Sequence, residues 1–294
     1  MSQQWQGKSK ANTTGYKIFV FLLEKFGVQA AYSLLYFVSF YYFLFSHKTS
    51  KPILYFYQKR LGFSKLKSVR YLYKNYFTLG QTLIDKVALL AQIKTSFTYE
   101  FDGKHHLEEI VKRGKGGMLI SAHVGNWEAA GQMLEHINAK VNIVMYDGED
   151  ENIKKYLDSV TGERSFKIIY VKNDLSHIFQ IKNALAANEI VCIHADRFLP
   201  GNKTISTDFL GEQAQFPYGP FLLSLKMDAP SVFVFAFKET DEHYHFYSSP
   251  LHYYSKSNGD TEQTVLNDFK TDLENKIKQY PTQWFNYFNF YAKS

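Results

Sequence analysis

Gly117-Met118-Leu119-Ile120-Ser121-Ala122-His123-Val124-Gly125-Asn126-Trp127-Glu128, with Ala129-Ala130-Gly131-Gln132-Met133-Leu134 behind it, is the stretch that decides how this chain is read. The apolar run reads as a buried strand, Gly125 as a turn, Asn126 as a helix cap and the small-residue run as a helix. A strand, turn and helix in that order are the building unit of an α/β sheet. His123 then leaves the strand end, and Glu128 follows five residues later in the first helical turn. Five is not a helical spacing, so the two side chains meet only across the turn. A helix start favours a carboxylate and disfavours a protonated imidazole. Glu128 can therefore hold one ring nitrogen while the other accepts a proton from a hydroxyl near neutral pH. The same residues also read as a buried structural histidine and a helix-start acid.

Outward from this segment the pattern repeats. Strand-like runs fall at 97–101, 117–123, 141–146, 167–171, 190–195, 231–238 and 243–248. Helical patterns lie between them at 107–112, 127–137, 152–160, 177–187 and 218–227, with Ser176 as a cap and a last helix over 261–280 stopped by Pro281. Alternation of this kind predicts an α/β fold, a mostly parallel central sheet flanked by helices. No repeat or low-complexity tract interrupts it.

The first third differs. Residues 1–15 are polar, and from Gly27 to Ser46 no residue carries a formal charge. That length meets the ~20 residues a spanning helix needs, although its many Tyr and Ser side chains equally suit a helix lying in the interface. A basic block follows: Lys48, Lys51, Lys59, Arg60, Lys65, Lys67, Arg70 and Lys74, with no acid before Asp85. Aromatic residues make up 17% of the 294, including 26 Phe and 22 Tyr, a composition suited to surfaces apolar at one end and wet at the other. Beside an uncharged segment, the block reads as a polybasic contact with anionic lipid, at roughly 1 kcal/mol per basic residue, in preference to a nucleic-acid surface. The positive-inside bias puts it on the cytoplasmic face. The expected division is a polar arm and hydrophobic helical membrane anchor over 1–47, a basic aromatic helical membrane-contact region over 48–94, and an α/β catalytic domain over 95–294. The single cysteine, Cys192, excludes a disulfide framework and a multi-cysteine zinc site and reads as a buried, inert thiol.

Several chemistries lose ground by absence: there is no G-x-S-x-G, no G-x-x-x-x-G-K-[ST], no G-x-G-x-x-G and no H-E-x-x-H. A second polar cluster, Ala195-Asp196-Arg197, follows the strand-like Ile190–Ile193, where open parallel sheets bind ligands. Asp196 and Arg197 are candidates for phosphate binding or for ordering a catalytic loop, or form a surface ion pair. Arg164 is a further anion-binding candidate. His177, His194, His243, His245 and His252 show no ligand spacing, and no metal is expected.

His123-Val124-Gly125-Asn126-Trp127-Glu128 resembles the H-x-x-x-x-[DE] motif of the bacterial lipid A late acyltransferases, within the lysophospholipid and glycerol-3-phosphate acyltransferase superfamily. The likeness continues in His194-Ala195-Asp196-Arg197, in Asp208-Phe209-Leu210-Gly211 with Phe216-Pro217-Tyr218-Gly219-Pro220, and in Pro281-Thr282-Gln283-Trp284-Phe285. The resemblance implies His123 as general base, Glu128 as its partner, and direct attack of a lipid hydroxyl on a thioester without an acyl-enzyme. It also implies an acyl-ACP or acyl-CoA donor, no cofactor, a membrane-held lipid acceptor, and a place on the cytoplasmic face of a bacterial inner membrane. Asn126, Arg164, Asp196 and Arg197 become the expected substrate contacts. Backbone N–H groups near Gly125 and Asn126, or donors from the Asp196–Arg197 loop, become the expected oxyanion donors. Many relatives carry an arginine where this chain has Tyr146-Asp147-Gly148, which leaves the anion-binding assignment open between Arg164 and Arg197. The competing reading is a non-catalytic membrane adaptor, which expects His123 without a pocket. A metal-dependent hydrolase lacks further ligands at suitable spacing.

Overall fold

The structure, a computed structural model, describes residues 13–127, 134, 139–146, 166–172 and 174–291. The expected helices over 127–137 and 152–160 lie for the most part outside them. The strands are β1 (Thr98–Asp102), β2 (Gly117–Ser121), β3 (Val141–Met145), β4 (Phe166–Tyr170), β5 (Ile190–His194), β6 (Thr204–Phe209), β7 (Glu212–Pro217), β8 (Ser231–Lys238) and β9 (His243–Ser248). Seven of them form one sheet in the order β1-β9-β8-β2-β5-β3-β4. Every neighbouring pair is parallel except β8 and β9, which form an antiparallel hairpin. The fold is α/β with a mostly parallel central sheet flanked by helices.

Both sheet faces are covered, which is why β2 is buried at every position. On one face, Leu107 and Ile110 of helix α4 (Lys104–Lys112) pack with Leu119, Ile143 and Val232. On the other, Ile181, Ala184 and Leu185 of helix α5 (Ser176–Ala186) pack with Met118, Val144 and Ile169. Helices α6 (Tyr218–Lys226) and α7 (Glu262–Gln279) extend that second layer, bringing Phe221 and Phe269 against Phe233. Thr261 caps α7, its side chain accepting from the Thr264 N–H. Ser176, expected as a cap, is instead the first residue of α5; Leu175 precedes it in a left-handed conformation with no side-chain cap.

The N-terminal part is helical. Helix α1 (Thr13–Phe45) bends at Gly27, whose φ of 78° suits glycine. It is followed by α2 (His47–Tyr55), a π-helical turn and α3 (Lys65–Leu90). α1 is long and apolar enough to cross a membrane. One face of it is nonetheless engaged, because Val20, Leu23, Ala31, Tyr32 and Leu35 pack against Ile84, Val87 and Ala88 of α3. The opposite face leaves Phe37, Phe40, Tyr41 and Phe45 exposed. Exposed Lys65, Lys67 and Arg70 begin α3, whereas Arg60 is committed elsewhere, to Gly211 O at 2.9 Å and Glu212 at 3.4 Å.

The antiparallel β6–β7 hairpin has no counterpart among the expected strands, since 204–217 reads as polar with isolated aromatics. Its Phe209 and Phe216 are nevertheless fully buried. Phe269, packed at 5.5 Å from the Phe233 ring and 5.9 Å from Phe221, is the centre of the α7 contact. Phe269→Ala is expected to cost ~3–5 kcal/mol of unfolding free energy in a denaturant titration.

Candidate active site

The site grows from one register. β2 and β5 pair in parallel from Gly117↔Ile190 to Ser121↔His194. Carried two residues past both strand ends, that register sets His123 opposite Asp196. The ladder continues through Ala195 N–H to Ser121 O at 2.8 Å, and the His123 N–H then donates to Asp196 Oδ2 at 2.9 Å. The other carboxylate oxygen lies 2.7 Å from His123 Nδ1. Asp196 thus holds both the backbone and the ring of His123. Glu128, the expected partner, lies outside the described residues, as does Arg164.

The electrostatics follow from burial in a small space. Burial, reinforced by the nearby Arg197 charge, lowers the His123 pKa below the ordinary imidazole value, and Asp196 offsets part of that. Burial alone would raise the Asp196 carboxyl, but His123 and Arg197 outweigh it and hold the group well below the carboxylate range. Asp196 is therefore an anion, and His123 is a neutral imidazole with Nδ1 on the carboxylate side.

His194 completes the cluster. Its Nδ1 is 3.4 Å from His123 Nε2, and its ring stands edge-on to both His123 and Trp127, with centroids 4.4 and 4.6 Å away. Burial and the neighbouring His123 push its pKa well down. Sequence spacing assigns His194 no role, because nothing in it pairs position 194 with 121. The register does.

His123, His194, Ser121 and Trp127 line a cavity of about 120 Å³ on the α4 face of the sheet. Its other walls are largely apolar, among them Leu107 of α4 and Leu119, Val141 and Ile143 of the strands. Cys192 also lines it, half-buried, with its thiol pushed up to about 12 by burial, so it is inert as a nucleophile. An apolar slot with two neutral imidazoles at the strand carboxyl ends can take a proton from a hydroxyl beside a hydrocarbon chain.

The loop after His123 is clasped from behind. Gly125 N–H donates to Gln283 O and Asn126 N–H to Ala236 O, each at 2.8 Å, and Phe285 N–H donates to His123 O at 3.2 Å. Gly125 has φ 59°, and a Cβ there would stand 1.8 Å from Ala236 O, so only glycine fits. These bonds correct one expectation: the Gly125 and Asn126 N–H groups are spent on the clasp and do not serve an oxyanion. Asn126, 3% exposed, sits beneath the loop, donating from Nδ2 to Tyr244 Oη at 3.1 Å and Thr82 O at 3.4 Å. Arg197 donates to Phe285 O at 2.6 Å and so ties the Asp196 turn to the same segment. Pro281–Phe285, quoted above only for its likeness, is thus a structural strap. Away from this site, β1–β9 pairing brings Glu100, Asp102 and His245 within 4.8 Å of one another, a grouping that sequence spacing does not show.

Both histidines bind protons less readily when folded than when unfolded. The unfolded chain therefore takes up more protons just below an unperturbed pKa of ~6.5. Stability is expected to fall as pH drops through that value. His194→Phe should flatten part of the decline in thermal midpoint between about pH 6.5 and 5.

A family model described as bacterial lipid A biosynthesis acyltransferase matches residues 16–289. Over 128 residues the chain is 26% identical to a phosphatidylinositol mannoside acyltransferase of Mycobacterium tuberculosis, covering 43% of this chain and 40% of that protein. Over 125 residues it is 25% identical to the protein of the same name from Mycolicibacterium smegmatis, covering 42% and 41%. The alignments thus span about two fifths of the length of these relatives.

Proposed function

The chain belongs to the bacterial lipid A biosynthesis acyltransferase family, and from that premise we propose that it moves a fatty acyl group from an acyl-ACP or acyl-CoA thioester to a hydroxyl of a membrane lipid. The observation that carries the proposal is His123, held by Asp196 at 2.7 Å and lining an apolar cavity. Nε2 of His123 takes the proton of the acceptor hydroxyl as its oxygen attacks the thioester carbonyl. Collapse of the tetrahedral intermediate expels the thiolate, which recovers the proton from the imidazolium. The acyl group passes directly, with no acyl-enzyme. Asp196 fixes the Nδ1–H tautomer and stabilises the imidazolium, a role of the kind that an aspartate plays in hydrolase triads. Glu128 enters as the second acid on the family pattern, and Arg164 and Arg197 as contacts for donor phosphates or the oxyanion.

The acceptor names carried by the family and the relatives differ, lipid A in one case and phosphatidylinositol mannoside in the other, and share a lipid. A lipid A precursor-like molecule or another lysolipid is the proposed acceptor class. The exposed aromatic face of α1 and the cations at the start of α3 support attachment to an anionic membrane surface. We place that surface on the cytoplasmic face of the inner membrane. Because α1 has its other face packed on α3, a helix lying in the interface suits this packing better than one crossing the bilayer. A non-catalytic adaptor has no use for a cavity at His123, and that feature counts against it.

The test is transfer of labelled acyl groups from palmitoyl-CoA or palmitoyl-ACP to extracted membrane lipids, read by mass spectrometry. His123→Ala is expected to abolish transfer while the protein stays folded; transfer at the wild-type rate by that variant would end the proposal. Asp196→Asn should lower kcat by ~10²–10⁴-fold. The reactive form is neutral His123, so rates fall on the acid side as pH passes below its lowered pKa. Removing the Asp196 charge leaves burial and Arg197 unopposed, and the acid limb should move to still lower pH.

A further inference from the structure

Behind the active-site loop, away from the cavity, lies a polar cluster sealed from solvent. Asp85 of α3 and Lys238 of β8 form an ion pair at 2.8 Å, with side chains 0% and 2% exposed. Lys238 Nζ also donates to Asp241 O at 2.7 Å. Two tyrosines from separate elements complete the carboxylate: Tyr32 of α1 donates to Oδ1 and Tyr244 of β9 to Oδ2. A phenol has one proton, so Tyr244, having given it to Asp85, meets Asn126 as an acceptor. That fixes the direction of the whole chain of bonds. From α1 it runs Tyr32 to Asp85, and from the loop it runs Asn126 to Tyr244 to Asp85. None of these side chains lines the cavity.

A buried ion pair is weak evidence for stability and better attested as a device for fixing one arrangement among several. Here the arrangement is the relative seat of α1, α3, the β8–β9 hairpin and the loop that carries His123. Gln81 of α3 donates to Asp241 Oδ1 at 2.7 Å and Gln29 of α1 to Glu242 at 3.3 Å, so the same hairpin turn is gripped by both helices. Asn126 is three residues from His123, and its N–H is bonded to Ala236 O of the same β8 strand that carries Lys238.

We propose that Asp85 is a positioning residue that couples the seating of helix α1, through Tyr32, to the His123–Asn126 loop, through Tyr244. The coupling rests on geometry alone. That α1 responds to a membrane rests on the functional reading above. Docking α1 completes the hydrogen bonds of Asp85, which holds the Tyr244 hydroxyl toward itself and leaves its lone pair to Asn126. Undocking α1 frees one carboxylate oxygen and lets the loop relax. The lipid-facing helix and the active-site loop thereby share one buried carboxylate.

The experiment is backbone amide hydrogen exchange on the full chain in dodecylmaltoside micelles, comparing wild type, Tyr32→Phe, Tyr244→Phe and the double variant. It uses no acyl substrate, so failure of the acyl-transfer reading leaves its outcome intact. The Gly125 and Asn126 amides are expected to exchange at least about fivefold faster in each single variant. Exchange of the β2 amides, Gly117–Ser121, should stay at the wild-type rate. The double variant should exchange no faster than Tyr244→Phe alone, because Tyr32 acts only through the shared carboxylate. Wild-type loop exchange in Tyr32→Phe, independent multiplication of the two effects, or an equal rise throughout β2 would each overturn the proposal.

Discussion

Strands β2 and β5 lie side by side, parallel and in register to Ser121↔His194, and the candidate active site depends on that pairing. It carries His123 and Asp196, 73 residues apart in sequence, to a 2.7 Å contact just beyond the strand ends. It also puts His194 and Cys192 on the same face as His123, where the cavity opens. A parallel sheet gathers its ligand crevice at the carboxyl ends of its strands, and here two neighbouring ends supply imidazole and carboxylate. Each remaining feature of the site preserves that contact. The Gln283–Phe285 strap pins the loop, Gly125 permits the close approach to β8, and Arg197 binds the Asp196 turn to the strap.

The apolar cavity and the depressed imidazole pKa have one cause. Burial that makes the slot suitable for hydrocarbon also disfavours charge on His123 and His194. Asp196 pulls in the opposite direction without restoring the ordinary value. An imidazole kept neutral in an apolar slot is able to accept a proton, and an adjacent anionic Asp196 would stabilise the resulting cation. The proposed acyl transfer draws on this combination, because water would compete for a thioester.

Much of the fold was legible in the sequence because its signals are local. Alternation of Ile190–Ile193 with the helical pattern after Ser176, or of Ser231–Lys238 with its flanks, marks each strand of the seven-stranded sheet within a residue or two. The His123 loop was legible for the same reason: strand, glycine turn and helix start are contiguous. The Asp196 pairing was not, because sequence order places β3 and β4 between β2 and β5, while the sheet inserts β5 next to β2. Proximity along the chain points to Glu128, which lies outside the described residues. The β6–β7 hairpin escaped because its buried Phe209 and Phe216 stand in a polar stretch, and the buried Asp85–Lys238 pair because no local pattern distinguishes a buried aspartate from a surface one. Asn126 reads as a cap and as a substrate contact in the sequence, whereas its partners, Tyr244 and Thr82, belong to elements far away in sequence.

In the proposed reaction Asp196 holds the proton of His123 on Nδ1, and Nε2 is unprotonated beside His194 and the cavity. Nitrogen-15 NMR of the full chain in micelles, with histidine imidazoles labelled and His123 assigned by substitution, reads that state directly. A neutral ring is expected at neutral pH, protonated on Nδ1 only, with the Nδ1 signal perturbed in Asp196→Asn. A ring protonated on Nε2, or on both nitrogens at that pH, would contradict it.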